Sequence, residues 1–371
     1  MIVFIREFND RKKAVFAALA AAAGGGRGVL VPLSFRDRPE TAVRVDWALA
    51  RAKRRPKGLS GWLKRQWLRG AYNWARGHFA AHPDRVAVAW NGMGGQRMAF
   101  LMGARDAGAA TLYAELAPLP GRITLDPAGV NAESSVPRDA GFFRDWAGDR
   151  PDRTGEGWRA MGAGLVARPS RRADVGQSAA ALPDAPFLFC PLQVPTDSQV
   201  TLFSGWCGGM EGFLAAMTEA VSHMPEGWHL RLKEHPSSRV ALGPMLEPLV
   251  ATGRVVIDNG SDSFAQLGAS RGVVTLNSSM GLQAFFHDKP VVVLGRAFFS
   301  RDGLVCPAGD QAALNRLFAD PAALAFDPAD RARFMNWLDQ VHYPRFDPAA
   351  PDPAALAPWL DRARLTRGSV G

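Results

Sequence analysis

Apolar positions along the chain fall into short, β-branched runs separated by longer stretches of helical spacing, and this alternation sets the expected fold. Residues 2–5 (IVFI) read as a strand, 9–23 as an alanine-rich helix and 29–33 as a second strand. Strands at 86–90 and 111–114 continue the series, with a helical segment at 97–107 between them. The second half repeats the pattern, with strands at 187–190, 229–233, 255–258, 273–276 and 291–294 and helices near 210–223, 240–250, 263–269 and 280–286. Strands alternating with helices of this length predict parallel βαβ units and doubly wound sheets. A Pro- and Arg-rich interval at 145–183 marks an irregular connection between the two halves. No repeat of solenoid length is present. The expected fold is therefore α/β, with two Rossmann-like domains facing a cleft. One domain spans 1–165 and a second spans 166–310. By analogy with other two-domain α/β folds, a helical tail over 311–371 is expected to pack back on the first domain.

The glycines at 24–28 lie between a helix and a strand, the reverse of the order in a dinucleotide loop, and read as a helix stop. A length of 371 residues suits two domains of roughly 150 residues each. A composition of 47% hydrophobic and 21% charged residues describes a globular chain rather than a disordered one. Cys190, Cys207 and Cys306 have no CxxC spacing, which argues against a disulfide framework or a cysteine-built zinc site and fits a reducing compartment. The charges at 6–13 precede the apolar stretch but follow a strand-like start, so no signal peptide is read there. No run approaches the ~20 apolar residues that span a bilayer.

The net charge of +9 favours polyanionic partners, and its distribution narrows the choice. Between Arg51 and His78 lie nine Lys and Arg residues, among them Arg54, Arg55, Lys64 and Arg65. Trp62, Trp67 and Trp74 are interleaved with them, and Leu63, Trp67, Ala71 and Trp74 fall at helical spacing. Such a helix either lies in a membrane interface, with tryptophans at headgroup depth, or is partly buried with its arginines solvated. No recognised nucleic-acid module accompanies it, so no nucleic-acid partner is expected.

Candidate chemistry collects at strand exits, where ligands bind in open α/β sheets. Lys233-Glu234-His235-Pro236 ends one strand. His235 there either partners a phosphate or serves as a structural loop histidine, with Lys233 adding positive charge. Asn277-Ser278-Ser279 precedes a helix, whose start favours both anion binding and ordinary capping. Gln193 and Asp197 follow the strand at 187–190. An Asp in that place is suited to act as a nucleophile or to close an Asx-turn. Glu115 follows the strand at 111–114. There is no Asp-x-Asp pair, and neither a cofactor nor a metal is expected.

Several segments in this order and spacing resemble the capsule polysaccharide synthesis family of retaining β-Kdo transferases, where Kdo is 3-deoxy-D-manno-octulosonic acid. They are Tyr113-Ala114-Glu115, residues 124–131, Ser134–Pro137, Pro191-Leu192-Gln193 with Thr196–Gln199, Lys233–Pro236, Asn277–Gln283, and Lys289-Pro290-Val291 with Leu294–Ala297. The resemblance covers about 91–303 and is strongest for the branch that starts the Kdo linker on a lipid. It implies a GT-B-like glycosyltransferase that moves Kdo from CMP-Kdo to a lipid or glycolipid acceptor in capsular polysaccharide biosynthesis. Asp197 is implied as the nucleophile and Glu115 as the acid/base. His235, Pro236, Lys233, Asn277, Ser278, Ser279, Gln193 and Arg296 are implied on the CMP side, which would make 1–165 the acceptor-side domain and 166–310 the CMP-sugar-binding domain. Two carboxylates suit a double displacement. The implied location is cytoplasmic, peripheral on the inner face of the cytoplasmic membrane, with other capsule-assembly proteins as further partners. The family carries Gly directly after the glutamate and an Arg slightly further on, where this chain has Leu116 and Leu119. Two other readings stay open: a transferase using another nucleotide-activated sugar, and a non-catalytic capsule assembly or export factor.

Overall fold

The computed structural model describes residues 1–167, 169–179, 182, 184–239 and 241–367. Met1–Ala117, Gly121–Val136 and Leu338–Gly371 form one unit, and Pro118–Pro120 with Pro137–Trp337 form a second.

The first unit is built on β1 (Ile2–Ile5), β2 (Gly26–Val29), β3 (Val86–Trp90), β4 (Ala110–Leu116) and β5 (Ile123–Asp126). Their order is β2-β1-β3-β4-β5, with the first four strands parallel and β5 antiparallel to β4. All five residues of β3 are buried, as expected of a parallel strand covered on both faces. The helices between these strands are α1 (Asp10–Ala22), α2 (Thr41–Ala50), α3 (Gly58–Ala81) and α4 (Gly95–Asp106). The Asn9 side chain caps α1 by accepting from the Lys12 amide.

Strand β2 lies earlier than the 29–33 run that the sequence suggests. Gly24, at φ +68°, stops α1, and Gly26 then enters the sheet directly beneath that helix. A Cβ at Gly26 would lie 2.5 Å from the Cβ of Ala20, so only glycine permits the approach. The glycine cluster is thus both a helix stop and an edge strand, and the apolar residues Leu30 and Val31 fall outside the sheet, exposed.

The C-terminal helix Ala357–Leu365 contributes Leu360 and Ala363 to the same core as Val88, Leu112 and Leu125, joined by Phe346 and Leu356. Trp359 Nε1 donates to the His342 carbonyl at 3.1 Å. His342 is buried, and burial lowers its pKa from 6.5 to about 4. Between those values the unfolded chain binds the extra proton. Stability should therefore fall as pH drops from 6.5 towards 4, by up to ~3 kcal/mol for this group. Urea midpoints at pH 7 and pH 5 should differ more for the wild type than for His342→Gln; equal differences would contradict this origin.

The second unit carries β6 (Phe187–Pro191), β7 (His229–Lys233), β8 (Val255–Ile257), β9 (Gly272–Thr275), β10 (Val291–Val293) and β11 (Cys306–Pro307). The order is β11-β10-β9-β6-β7-β8, parallel throughout. The chain runs outward through β6, β7 and β8, then returns to the other side of β6 with β9. The topological switch point therefore lies between β6 and β9. Leu188, Leu230, Val274 and Val292 pack with Phe213, Met217, Leu246 and Phe318 in this unit's core. Each such side chain contributes roughly 1.5–3 kcal/mol on burial.

The division differs from the one read in the sequence. Residues 137–165 go with the second unit because the helix Ala140–Ala147 packs on Pro328–Trp337. The ring of Phe143 lies 5.5 Å from Phe334 and 5.4 Å from Trp337. Residues 311–337 stay with the second unit too, since Leu314 and Phe318 pack in its core with Phe213 and Met217, and only Leu338–Gly371 goes with the first.

Candidate functional site

Beyond the carboxyl ends of the central strands, the second unit has a recess of about 560 Å³, its open mouth included. His235 and Pro236 line it after β7, Ser278 and Ser279 after β9, and Pro191 and Leu192 at the end of β6, with Phe264 alongside. This is the switch point, where open α/β sheets bind ligands.

The loop after β7 is held from below. Lys233 is buried, and its ammonium donates to three carbonyls, Gly176 at 2.7 Å, Asn259 at 2.9 Å and Ser261 at 2.6 Å. Burial lowers its pKa. The cation read as a phosphate partner therefore borders the recess while its donors tie two loops beneath it. Glu234, also buried, accepts from Arg172 at 2.6 Å and from the Leu242 amide at 2.9 Å, and its own amide donates to Asn259. With these two side chains fixed, the chain presents His235 at the wall. Its Nδ1 accepts from the Ser237 amide at 3.0 Å, so a neutral ring carries its proton on Nε2. Lys233→Met would take the ammonium donor from the Gly176 carbonyl and one of two donors from the Asn259 and Ser261 carbonyls, which also accept from the Gly176 amide and Gln266 Nε2, at a cost of ~1–3 kcal/mol. A lowered urea midpoint would show it; an unchanged midpoint would contradict the anchoring role.

Nearby, Asp258 accepts from Arg231 at 2.6 Å. Burial pushes the Asp258 carboxyl up, but hydrogen bonds from Ser261 and Arg231 outweigh it and hold the pKa at about 2.

Asp197 is exposed and caps the helix Ser198–Phe203, accepting from the Gln199 amide at 2.8 Å. Asn277 holds that helix. Its Nδ2 donates to the carbonyls of Gln199 and Phe203, each at 2.9 Å. Gln193 closes the pair, donating to Asn277 Oδ1 at 2.9 Å and accepting from the Asn277 amide at 3.2 Å. Gly295 permits the close packing at the far end of the helix, since a Cβ there would lie 2.7 Å from the Phe203 carbonyl. Gln193 and Asn277 therefore position the Asp197 turn and stand behind the walls of the recess. Ser278 caps the helix Ser279–Gln283 by accepting from the Met280 amide at 3.2 Å. Arg296 is exposed, with its guanidinium over the Phe203 ring at 5.6 Å.

In the first unit, Glu115 lies at the carboxyl end of β4. Its carboxylate accepts from Asn91 Nδ2 at 2.8 Å and from the Leu116 amide at 3.1 Å. Asn91 was not anticipated. It follows β3 at φ +62°, a conformation uncommon outside glycine, and its Oδ1 accepts from the Met93 amide at 3.2 Å. Gly92 continues the turn at φ +73°, where a Cβ would strike Tyr113 at 2.6 Å. An Asn-Gly pair directly after an apolar strand was the available sign of this turn. Leu116 is exposed and Leu119 is buried.

Of the expected membrane-facing tryptophans, Trp62 and Trp67 are exposed, but Trp74 is turned inward. It stacks on His78 at 4.6 Å and against Phe100 of α4 at 6.2 Å. The reason is that α4 covers the C-terminal half of α3, burying Ala71, Ala75 and Phe79, and Leu68 packs with Val45 and Ala48 of α2, while the first turns, 58–63, are left largely exposed. Arg65 pairs with Asp46, and Lys64 donates to the Arg54 carbonyl. Among the described residues, no helix is long and apolar enough to cross a membrane, and no group of three or more His, Cys, Asp or Glu is arranged to hold a metal ion.

Residues 166–345 match the family model described as capsule polysaccharide biosynthesis protein, and this stretch of the chain belongs to that family. The match spans β6–β11 and every wall of the recess, so the resemblance read from the sequence is borne out at the family level. Protein FixF of Sinorhizobium fredii is 27% identical over 317 residues, covering 83% of this chain and 74% of FixF. The capsule polysaccharide modification protein LipB of Neisseria meningitidis serogroup A is 30% identical over 125 residues, covering 32% of this chain but only 30% of LipB. Among solved structures, the chain is similar to Thermosulfurimonas dismutans KpsC, beta Kdo 2,7 transferase, with 14% identity, a TM-score of 0.46, and coverage of 79% of this chain and 89% of that one.

Proposed function

We propose that this chain is a metal-independent glycosyltransferase of the GT-B type that moves Kdo from CMP-Kdo to a lipid-linked acceptor in capsule polysaccharide biosynthesis. The observation that carries the reading is the switch-point recess, walled by His235, Ser278 and Ser279 within the family-matched segment. A neutral His235 offers an Nε2–H donor to a phosphate oxygen, and the Ser279 hydroxyl offers another. CMP leaves as an already acidic phosphate monoester, so stabilising its charge matters more than protonating it.

The double displacement then proceeds as follows. The Asp197 carboxylate attacks the anomeric carbon of Kdo, forming a glycosyl ester while the bond to the CMP phosphate breaks. Glu115 takes the proton of the acceptor hydroxyl, whose oxygen attacks the same carbon and releases the Asp197 carboxylate. Two inversions retain the anomeric configuration. Asn277 and Gln193 act by holding the Asp197 turn, and Asn91 by orienting Glu115.

Calorimetric titration with CMP, CMP-Kdo analogues and UDP tests the donor side. CMP should bind, and His235→Ala should weaken it about tenfold or more. Tighter binding of UDP than of CMP would favour another nucleotide-activated sugar.

A further inference from the structure

The exposed first turns of α3 are not accounted for by the transferase reading. Leu59 is 74% exposed, Trp62 55% and Leu63 54%, all within two turns of one helix. A neighbouring irregular segment extends the apolar surface. Leu33 lies so close to Gly70 of α3 that a Cβ there would meet it at 2.4 Å, and Phe35, 57% exposed, sits under the Arg69 guanidinium at 5.8 Å. Large apolar groups left in water in such a cluster mark an interaction surface.

The charges around this surface point to its occupant. From Trp47 through Pro83 the chain has nine Lys and Arg and no Asp or Glu. Arg51, Arg65, Arg69 and Arg76 are paired with carboxylates drawn from elsewhere in the unit. Lys53, Arg54, Arg55 and Lys57, directly before α3, are all exposed, and none takes part in an ion pair within the described structure. Burial, and after it the neighbouring Arg54, lowers the pKa of Lys64.

This segment also emerges at the end of the sheet that carries Glu115. Arg51 Nε donates to the Met93 carbonyl at 3.1 Å, Met93 is bonded to Asn91, and Asn91 to Glu115. The basic run therefore leaves the fold beside the turn that orients the proposed acid/base.

We propose that the N-terminal half of α3, the basic run before it and the apolar segment beside it form a docking surface for an anionic phospholipid bilayer. Leu59, Trp62, Leu63 and Phe35 enter the headgroup region, while Lys53, Arg54, Arg55 and Lys57 lie over lipid phosphates. On this arrangement α3 lies in the plane of the interface and does not span it. The bilayer would then present an acceptor headgroup at the Glu115 end of the sheet.

The test is flotation of the chain with vesicles of phosphatidylcholine alone and of phosphatidylcholine with roughly 30% phosphatidylglycerol as the anionic lipid. It needs no turnover, so its outcome is independent of the transferase reading. The protein should float only with anionic vesicles and come off as salt rises. Two surface variants should each weaken partitioning roughly tenfold or more while keeping the near-UV circular dichroism: Lys53→Glu with Arg54→Glu, Arg55→Glu and Lys57→Glu, and Leu59→Ser with Trp62→Ser and Leu63→Ser. Equal flotation with neutral vesicles, or wild-type partitioning by both variants, would overturn the proposal. So would a monomer–dimer shift in ultracentrifugation caused by the apolar variant in the absence of vesicle binding, which would assign the face to a second copy. Binding to nucleic acid in place of vesicles would likewise overturn it.

Discussion

Asp197→Asn should lower sugar transfer by about 1,000-fold or more while leaving the fold and nucleotide binding intact. The choice of asparagine follows from the local structure. Asp197 caps the helix Ser198–Phe203 by accepting from the Gln199 amide, and an asparagine carbonyl caps equally well. Alanine would remove both the proposed nucleophile and the cap, the latter costing ~1 kcal/mol, and would blur the two effects. Asp197→Asn therefore isolates the chemistry. Unchanged melting and CMP affinity with activity lost is the expected combination. Activity within tenfold of wild type would assign Asp197 to capping alone and strengthen the reading of a non-catalytic assembly factor.

Glu115→Gln should fail at a different step. Attack of Asp197 on the donor requires no proton transfer to the leaving phosphate, so the first half-reaction persists. The acceptor hydroxyl then lacks its base, and overall transfer falls by roughly 10²–10⁴. The glutamine carbonyl can still accept the Asn91 bond, so the turn after β3 is retained. The distinguishing result is accumulation of protein heavier by one Kdo in intact mass spectra, absent from the Glu115→Gln/Asp197→Asn double variant. Loss of both adduct and product in Glu115→Gln alone would show that Glu115 acts on the donor instead.

Most parallel strands of both sheets were legible in the sequence because strands covered on both faces are short, unbroken β-branched runs, as at Val86–Trp90 and Val291–Val293, whereas the antiparallel β5 was not read. What escaped was set by tertiary contact. Gly26–Val29 became an edge strand because of the closeness of α1, and Cys306–Pro307 is too short to carry a pattern. Trp74 shares helical spacing with Leu63 and Trp67, but periodicity does not say where a covering helix ends, and α4 shields only the later turns of α3. The candidate site was legible as residue types at strand exits. The division of labour among them was not. Lys233 reads as a free cation until its three carbonyl partners, from residues 26 to 57 positions away, are seen. Asn277 and Gln193 read as ligand amides until their mutual pairing is seen. Asn91-Gly92 after an apolar strand signals a turn, but the part Asn91 plays in it shows only in its left-handed backbone and its bond to Glu115.

The most direct measurement is incubation of the purified chain with CMP-Kdo generated in situ and a fluorescent lysophosphatidylglycerol, followed by mass spectrometry of the lipid and the intact protein. The account predicts lipid heavier by one Kdo, formed by the wild type and lost with Asp197→Asn. An unmodified lipid, no Kdo on the protein and no detectable CMP binding would contradict it.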